Sequence, residues 1–121
     1  MTTDELKLRT KRFSLMVIDL VEKLPNSVAI RVVANQIVRS GTSVGANYRA
    51  VCRARSDREF VAKMNIVVEE ADESLFWLEI LNEKKWIDQS EFEIIWKEGN
   101  ELTAIFVSSL KTVNNRINKS N

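Results

Sequence analysis

The 121-residue sequence contains no histidine, one cysteine, one proline and three glycines. Without histidine there is no Ser-His-Asp machinery, no His-ligated haem and little scope for transition-metal chemistry. One cysteine cannot form an intramolecular disulfide or a Cys-rich zinc site. So little proline and glycine argues against a many-turned sandwich or a long disordered linker. No apolar run approaches the roughly 20 residues that cross a bilayer. The opening MTTDELKLRTKR has no apolar leader core, so a cytoplasmic chain without a membrane anchor is expected. What the sequence does contain, 45% hydrophobic and 29% charged residues, is enough for one domain with a single core, spanning 1–121.

Apolar residues recur in steps of three and four, and nowhere in the strict alternation of a strand. Leu6, Phe13, Met16, Val17, Leu20 and Val21 mark a first amphipathic helix over about 4–24, closed by Pro25. Asn26 or Ser27 can cap a second helix over 27–55, with a seam through Ile30, Val33, Ile37, Val44, Tyr48 and Val51. Ser56-Asp57-Arg58-Glu59 reads as a capping box for a third helix over 57–84, and Asp88 to Glu91 as a looser one for a fourth over 89–117. Short turns between four such helices predict an all-α, antiparallel up-down four-helix bundle. Ser40 to Gly45 favours a turn locally, yet the seam keeps its phase through it. One long helix with a small-residue waist is therefore expected, a break at the waist being the alternative. Gly41 and Gly45, four apart, form a face that a neighbouring backbone can approach closely.

The net charge of +1 hides an asymmetry: residues 1–63 hold 12 Lys+Arg against 6 Asp+Glu, and residues 64–121 hold 6 against 11. Either the halves pair, or the first half presents a basic surface. Between residues 31 and 58 the basic residues are six arginines and no lysine, against Asp57 alone. Guanidinium groups suit carboxylate and phosphate. Arg39 flanks the apolar seam, where a carboxylate of the third helix is its expected partner in a partly buried pair. Arg49, Arg53 and Arg58, with Arg55, are the candidate phosphate contacts along a basic ridge of the second helix; a merely solvated basic face is the alternative.

Ser40, Ser43 and Asn47 share a polar strip, read either as a buried hydrogen-bond network or as local bonding to helix carbonyls. Glu69, Glu70, Asp72 and Glu73 form the densest acid cluster. Di-metal bundles add a Glu-x-x-His pair to such carboxylates, and this chain has no histidine to supply it. Cys52 is expected to pack as a small apolar residue. Phe76, Trp77 and Ile80 widen the apolar stripe of the third helix beyond what one bundle buries, which points to a subunit interface; capping of the bundle ends is the plainer account.

Gln36, Arg39-Ser40, Ser43-Val44, Ala46-Asn47, Arg53, Ser56 and Glu59-Phe60 resemble the pattern of the four-helix-bundle proteins encoded in intervening sequences of bacterial 23S ribosomal RNA genes. Glu70-Ala71-Asp72-Glu73-Ser74-Leu75-Phe76-Trp77-Leu78 matches a motif of one branch, and the resemblance runs from about Phe13 to Leu110. Many relatives carry a glutamate where this chain has Ala50, so a role for that carboxylate does not transfer. The resemblance implies the bundle fold and a homopentamer around a central channel. It also points to a nucleic-acid role, because a related group, the accessory variability proteins of diversity-generating retroelements, assists a reverse transcriptase and binds nucleic acid.

Together these readings predict a non-enzymatic homo-oligomer, pentameric by resemblance, with no cofactor, no metal and no small-molecule substrate. Arg49, Arg53, Arg55 and Arg58 would contact RNA or a ribonucleoprotein. Gln36, Arg39, Ser43, Asn47, Glu70 and Glu73 would form a structural polar network, with Phe76, Trp77 and Ile80 at the interface. A protein-only scaffold that docks another protein, without nucleic acid, is the competing expectation.

Overall fold

The structure, a computed structural model, describes residues 1–120. Four helices follow one another: α1 Thr3–Glu22, α2 Val28–Val51, α3 Asp57–Glu83 and α4 Gln89–Ser120. Each of the first three is opened by a hydroxyl that satisfies a free backbone N–H. The Thr2 side chain accepts from Glu5 N at 3.1 Å, Ser27 from Ile30 N at 3.1 Å, and Ser56 from Glu59 N at 3.1 Å. At Thr2 the box is completed by the Glu5 carboxylate. At Ser56 the Glu59 carboxylate turns instead to Lys63, 3.2 Å away. α3 closes with Lys85 at φ 59, the Lys85 amide donating to Asn82 O and the Trp86 amide to Leu81 O. That left-handed residue turns the chain so that Trp86 packs back on the core.

Cross-helix contacts fix the topology. Gly45 lies against Thr10 and Gly41 against Val17, so α2 runs opposite to α1. Asp57 bonds Arg116, Leu75 touches Gly99 and Glu79 bonds Trp96, so α4 runs opposite to α3. Arg9 meets Glu98 while Lys23 meets Glu91, which sets α1 against α4 in the same sense. The helices form an up-down ring, closely packed along α1/α2, α2/α3 and α3/α4 and thinly packed where α4 returns to α1. Phe13, Val17, Ile37, Val44, Met64, Val67, Leu78, Leu102 and Phe106 are fully buried at the centre. Tyr48 and Phe106 stack across it, ring centroids 5.7 Å apart.

The small-residue waist does not break α2, which is continuous through Ser40–Gly45. A Cβ on Gly41 would stand 2.9 Å from Val17 Cγ2, and one on Gly45 would stand 3.3 Å from the Thr10 carbonyl. α1 therefore rests directly on the α2 backbone. On the opposite flank Ser74 Oγ donates to Ser40 Oγ at 2.9 Å within the interior, tying α3 to α2.

One boundary differs from the sequence reading. α2 ends at Val51, not Arg55: Arg53 N donates to Ala50 O and Ala54 N to Val51 O in tightened turns, after which Ser56 is extended (φ −154, ψ 164). Two antiparallel helices need a short connection, and the extended Ser56 that caps α3 leaves no helical continuation. α4, in turn, runs three residues past the expected 117.

Candidate nucleic-acid interface

Ending α2 at Val51 redistributes the expected arginine ridge. Arg49 stays in the last turn of α2, Arg53 falls in the turn beyond it, Arg55 in the α2–α3 connection, and Arg58 in the first turn of α3. All four side chains are exposed, and none has an ion pair among the described residues. They do not form one ridge of one helix.

Packing assembles a different group. A groove of about 500 Å³ between α1 and α2 is lined by Asp4, Lys7, Leu8, Lys11, Ser14, Thr42, Gly45, Ala46 and Arg49. A second hollow, about 440 Å³, lies between α2 and α3 and is lined by Ala46, Arg49, Ala50, Arg53 and Lys63. Ala46 and Arg49 border both, so the two hollows flank one crest. Ala46 and Ala50 keep the crest low beside the arginines, and Thr42 and Gly45 of the waist line the groove on its α1 side. Five cations line this band against the single carboxylate of Asp4, and only Lys63 has an acidic partner, Glu59. Lys7, Lys11 and Lys63 escaped the sequence reading: Lys7 and Lys11 stand one turn apart in the basic run at 7–12, Lys63 stands alone on α3, and only the antiparallel register places them beside Arg49 and Arg53.

Arg55 lies elsewhere, in a hollow of about 390 Å³ at the bundle end, with Thr3, Tyr48, Cys52, Asp57 and Phe60. Burial pushes the Tyr48 hydroxyl up to about 12, and the adjacent Cys52 thiol adds to the shift. Tyr48 therefore stays neutral at physiological pH. Asp57 is clamped to Arg116 through bonds of 2.8 and 2.9 Å, and this bonding holds its carboxyl below the usual range. A lowered folded pKa stabilises the fold above the unfolded value of 3.8, and that contribution disappears as pH falls through the folded pKa. Asp57→Asn is therefore expected to lower the melting temperature at neutral pH, with the gap to wild type closing as pH falls below the unfolded value of 3.8. Thermal melts of both proteins across that range check it.

The expected polar network separates into two parts. Arg39 Nη1 lies 3.1 Å from Glu70 and Nη2 pairs with Glu73, while Arg39 Nε donates to Gln36 at 3.3 Å. The cluster bridges α2 and α3 at the surface rather than in the partly buried setting expected, with 47% of the Arg39 side chain exposed. Ser43 and Asn47 do not join it: Ser43 Oγ donates to Arg39 O at 2.6 Å and Asn47 Nδ2 to Ser43 O at 2.8 Å, both within α2. These short polar groups find a carbonyl one turn back before they find another helix. Of the three expected interface residues, Phe76 is 51% exposed, whereas Trp77 and Ile80 are half-buried against the core. Phe76 and Trp77 meet edge to face, centroids 4.9 Å apart.

Much of the first half's charge is cancelled within the chain: Arg9 pairs with Glu98 and Glu101, Lys23 with Glu91, and Arg39 with Glu70 and Glu73. Among the described residues no group of three or more acidic or Cys side chains could hold a metal ion, and no helix is long and apolar enough to cross a membrane.

Fold and surface together define a small helical bundle with a one-sided basic band. The chain belongs to the 23S rRNA-intervening sequence protein family, whose profile matches residues 5–108. It is also similar to a solved structure from Bacteroides thetaiotaomicron VPI-5482, a protein with unknown function from the S23 ribosomal protein family. The two are 33% identical with a TM-score of 0.83, the match covering 92% of this chain and 99% of that one. No curated protein matches. Neither description carries an enzymatic activity.

Proposed function

We propose that the protein is a non-enzymatic, self-associating helical bundle, pentameric by family resemblance, that contacts RNA or a ribonucleoprotein through the band around Arg49 and Arg53. The observation that carries this reading is the clustering of uncompensated charge: Lys7, Lys11, Arg49 and Arg53 sit together on a folded surface, unpaired among the described residues, while Arg9, Lys23 and Arg39 are paired with carboxylates. A phosphate backbone supplies the missing negative charge and releases its counterions in doing so. Arg55 and Arg58 are secondary contacts on this view. Self-association is supported by the large apolar side chains left in water, Phe76 on α3 with Val28 and Val32 on the neighbouring α2. The same exposed Phe76 favours the second reading, a protein-only scaffold.

Light scattering with and without a short RNA hairpin tests both halves of the proposal. The expected result is a multiple of the 13.9 kDa chain mass that takes up RNA. Uptake should weaken steeply between about 50 and 200 mM salt, and Arg49→Ala with Arg53→Ala should reduce it about tenfold or more. An oligomer that takes up no RNA at low salt supports the scaffold instead, and a monomer overturns the assembly.

A further inference from the structure

We infer that the band is a site for double-stranded RNA, held by phosphates on both sides of a groove and without regard to base sequence. This rests on the RNA reading above and goes further, to the class of RNA and to the part played by α1 and α3.

The shape of the band carries the argument. α2 forms a corner of the ring between α1 and α3, and its outer face here carries the small residues Ala46 and Ala50 alongside Arg49 and Arg53. Cations stand on both flanks of that crest, Lys7 and Lys11 on α1 and Lys63 on α3. Lys7 and Lys11 are one turn apart, about 6 Å along the helix axis. A low ridge with positive charge on either side is the complement of a groove with a row of phosphates on either edge. The wide, shallow minor groove of an A-form duplex is such a surface. A single strand offers one row of phosphates and exposed base faces, and proteins that hold single strands supply aromatic rings for those faces. No aromatic side chain lines either hollow of the band. Exposed Phe76 lies toward the far, acidic half of α3. Lacking stacking platforms, and with lysine and arginine heads directed at phosphate, the site has little means to read bases.

Fluorescence anisotropy of the full-length protein in its native assembly tests this with three probes: a duplex RNA of about 20 base pairs, each of its strands alone, and a duplex of shuffled sequence. The duplex is expected to bind about tenfold or more tighter than either strand, and the shuffled duplex equally well. Lys7→Ala with Lys11→Ala should weaken duplex binding about tenfold and lower the slope of log affinity against log salt by about two. Ala46→Leu, which adds bulk to the crest and leaves every charge in place, should weaken the duplex while sparing the strands. Strands that bind as tightly as the duplex overturn the duplex inference and leave the RNA reading standing. So does a Lys7/Lys11 double variant that binds like wild type while the Arg49/Arg53 variant does not. Failure of every probe at low salt overturns the RNA reading itself, and this inference with it.

Discussion

Gly41→Leu is expected to lower the unfolding free energy by about 3 kcal/mol or more. The first atom of any side chain at Gly41 would lie 2.9 Å from Val17 Cγ2 and 3.1 Å from Cγ1. Val17 is fully buried and branched at Cβ, so it cannot swing to another rotamer to make room. The remaining route is to lift α1 off α2, which also strips contact from Gly45, where the neighbour is the α1 backbone at Thr10. Replacing glycine in a helix would by itself gain about 1 kcal/mol, so the observed loss is the overpacking after that gain has been subtracted. Ala46→Leu, five residues along the same helix and exposed, should stay within about 0.5 kcal/mol of wild type. Urea titration of the three proteins measures this. A Gly41→Leu protein as stable as wild type would mean that α1 and α2 do not approach each other this closely in solution.

Phe13→Ala has the next largest expected effect, a loss of about 3–5 kcal/mol. Its ring is fully buried and lies over Gly99, where an added Cβ would come within 3.1 Å of Cε1. The α1/α4 seam is the thinnest in the ring, and this aromatic side chain packs across it onto Gly99. Alongside it the seam relies on Arg9, whose Nε and Nη2 bond Glu98 at 2.8 and 2.7 Å, with Nη2 also 2.8 Å from Glu101. The Arg9 and Glu98 side chains are only 16% and 22% exposed, and this pairing raises the arginine pKa. A half-buried pair of this kind fixes register more than it stabilises, so Arg9→Ala should cost less than Phe13→Ala. A domain of this size is stable by about 5–15 kcal/mol, so the Phe13→Ala protein should lose a large share of its stability and unfold at much lower urea than wild type. A small effect at Phe13, with a larger one at Arg9, would place the strength of the seam in its charges.

The two variants also separate what was legible from what was not. Phe13 and Gly41 could be picked out from periodicity alone: one lies on the apolar seam of its helix, the other on a face of small residues that keeps the phase of its neighbours. Ser27 and Ser56 were legible as caps for the same reason, since a cap depends on residues within one turn. The end of α2 was not, because the seam through Val51 runs on toward Arg55 and only the need to reverse direction ends it. The polar strip was legible as residues and not as bonds. Ser40 reaches α3 through Ser74, while Ser43, three positions on, bonds its own helix.

The candidate site shows the same division more sharply. An unbalanced run of arginines drew attention to Arg49 and Arg53, and these are in the band; Arg55 and Arg58 belong to the same run but are carried elsewhere by the turn at Val51. Lys7 and Lys11 belong to a basic run at 7–12 that does not by itself say which helix it faces, and Lys63 is a lone lysine on a helix surface, the commonest of solvated residues. Arg39 was legible as the partner of a third-helix carboxylate and meets Glu70 and Glu73, whereas the pairing of Arg9 with Glu98 and Glu101 of α4 had no local signal.

Helical period, capping and the small waist are set by neighbours within a few residues, so the amino-acid sequence alone determined four helices, their order and the faces they bury. Which charges cancel and which remain depends on side chains tens of residues apart meeting across helices. That is a property of antiparallel register, and only the tertiary structure decided that Lys7, Lys11 and Lys63 would join Arg49 and Arg53 around one corner of the bundle.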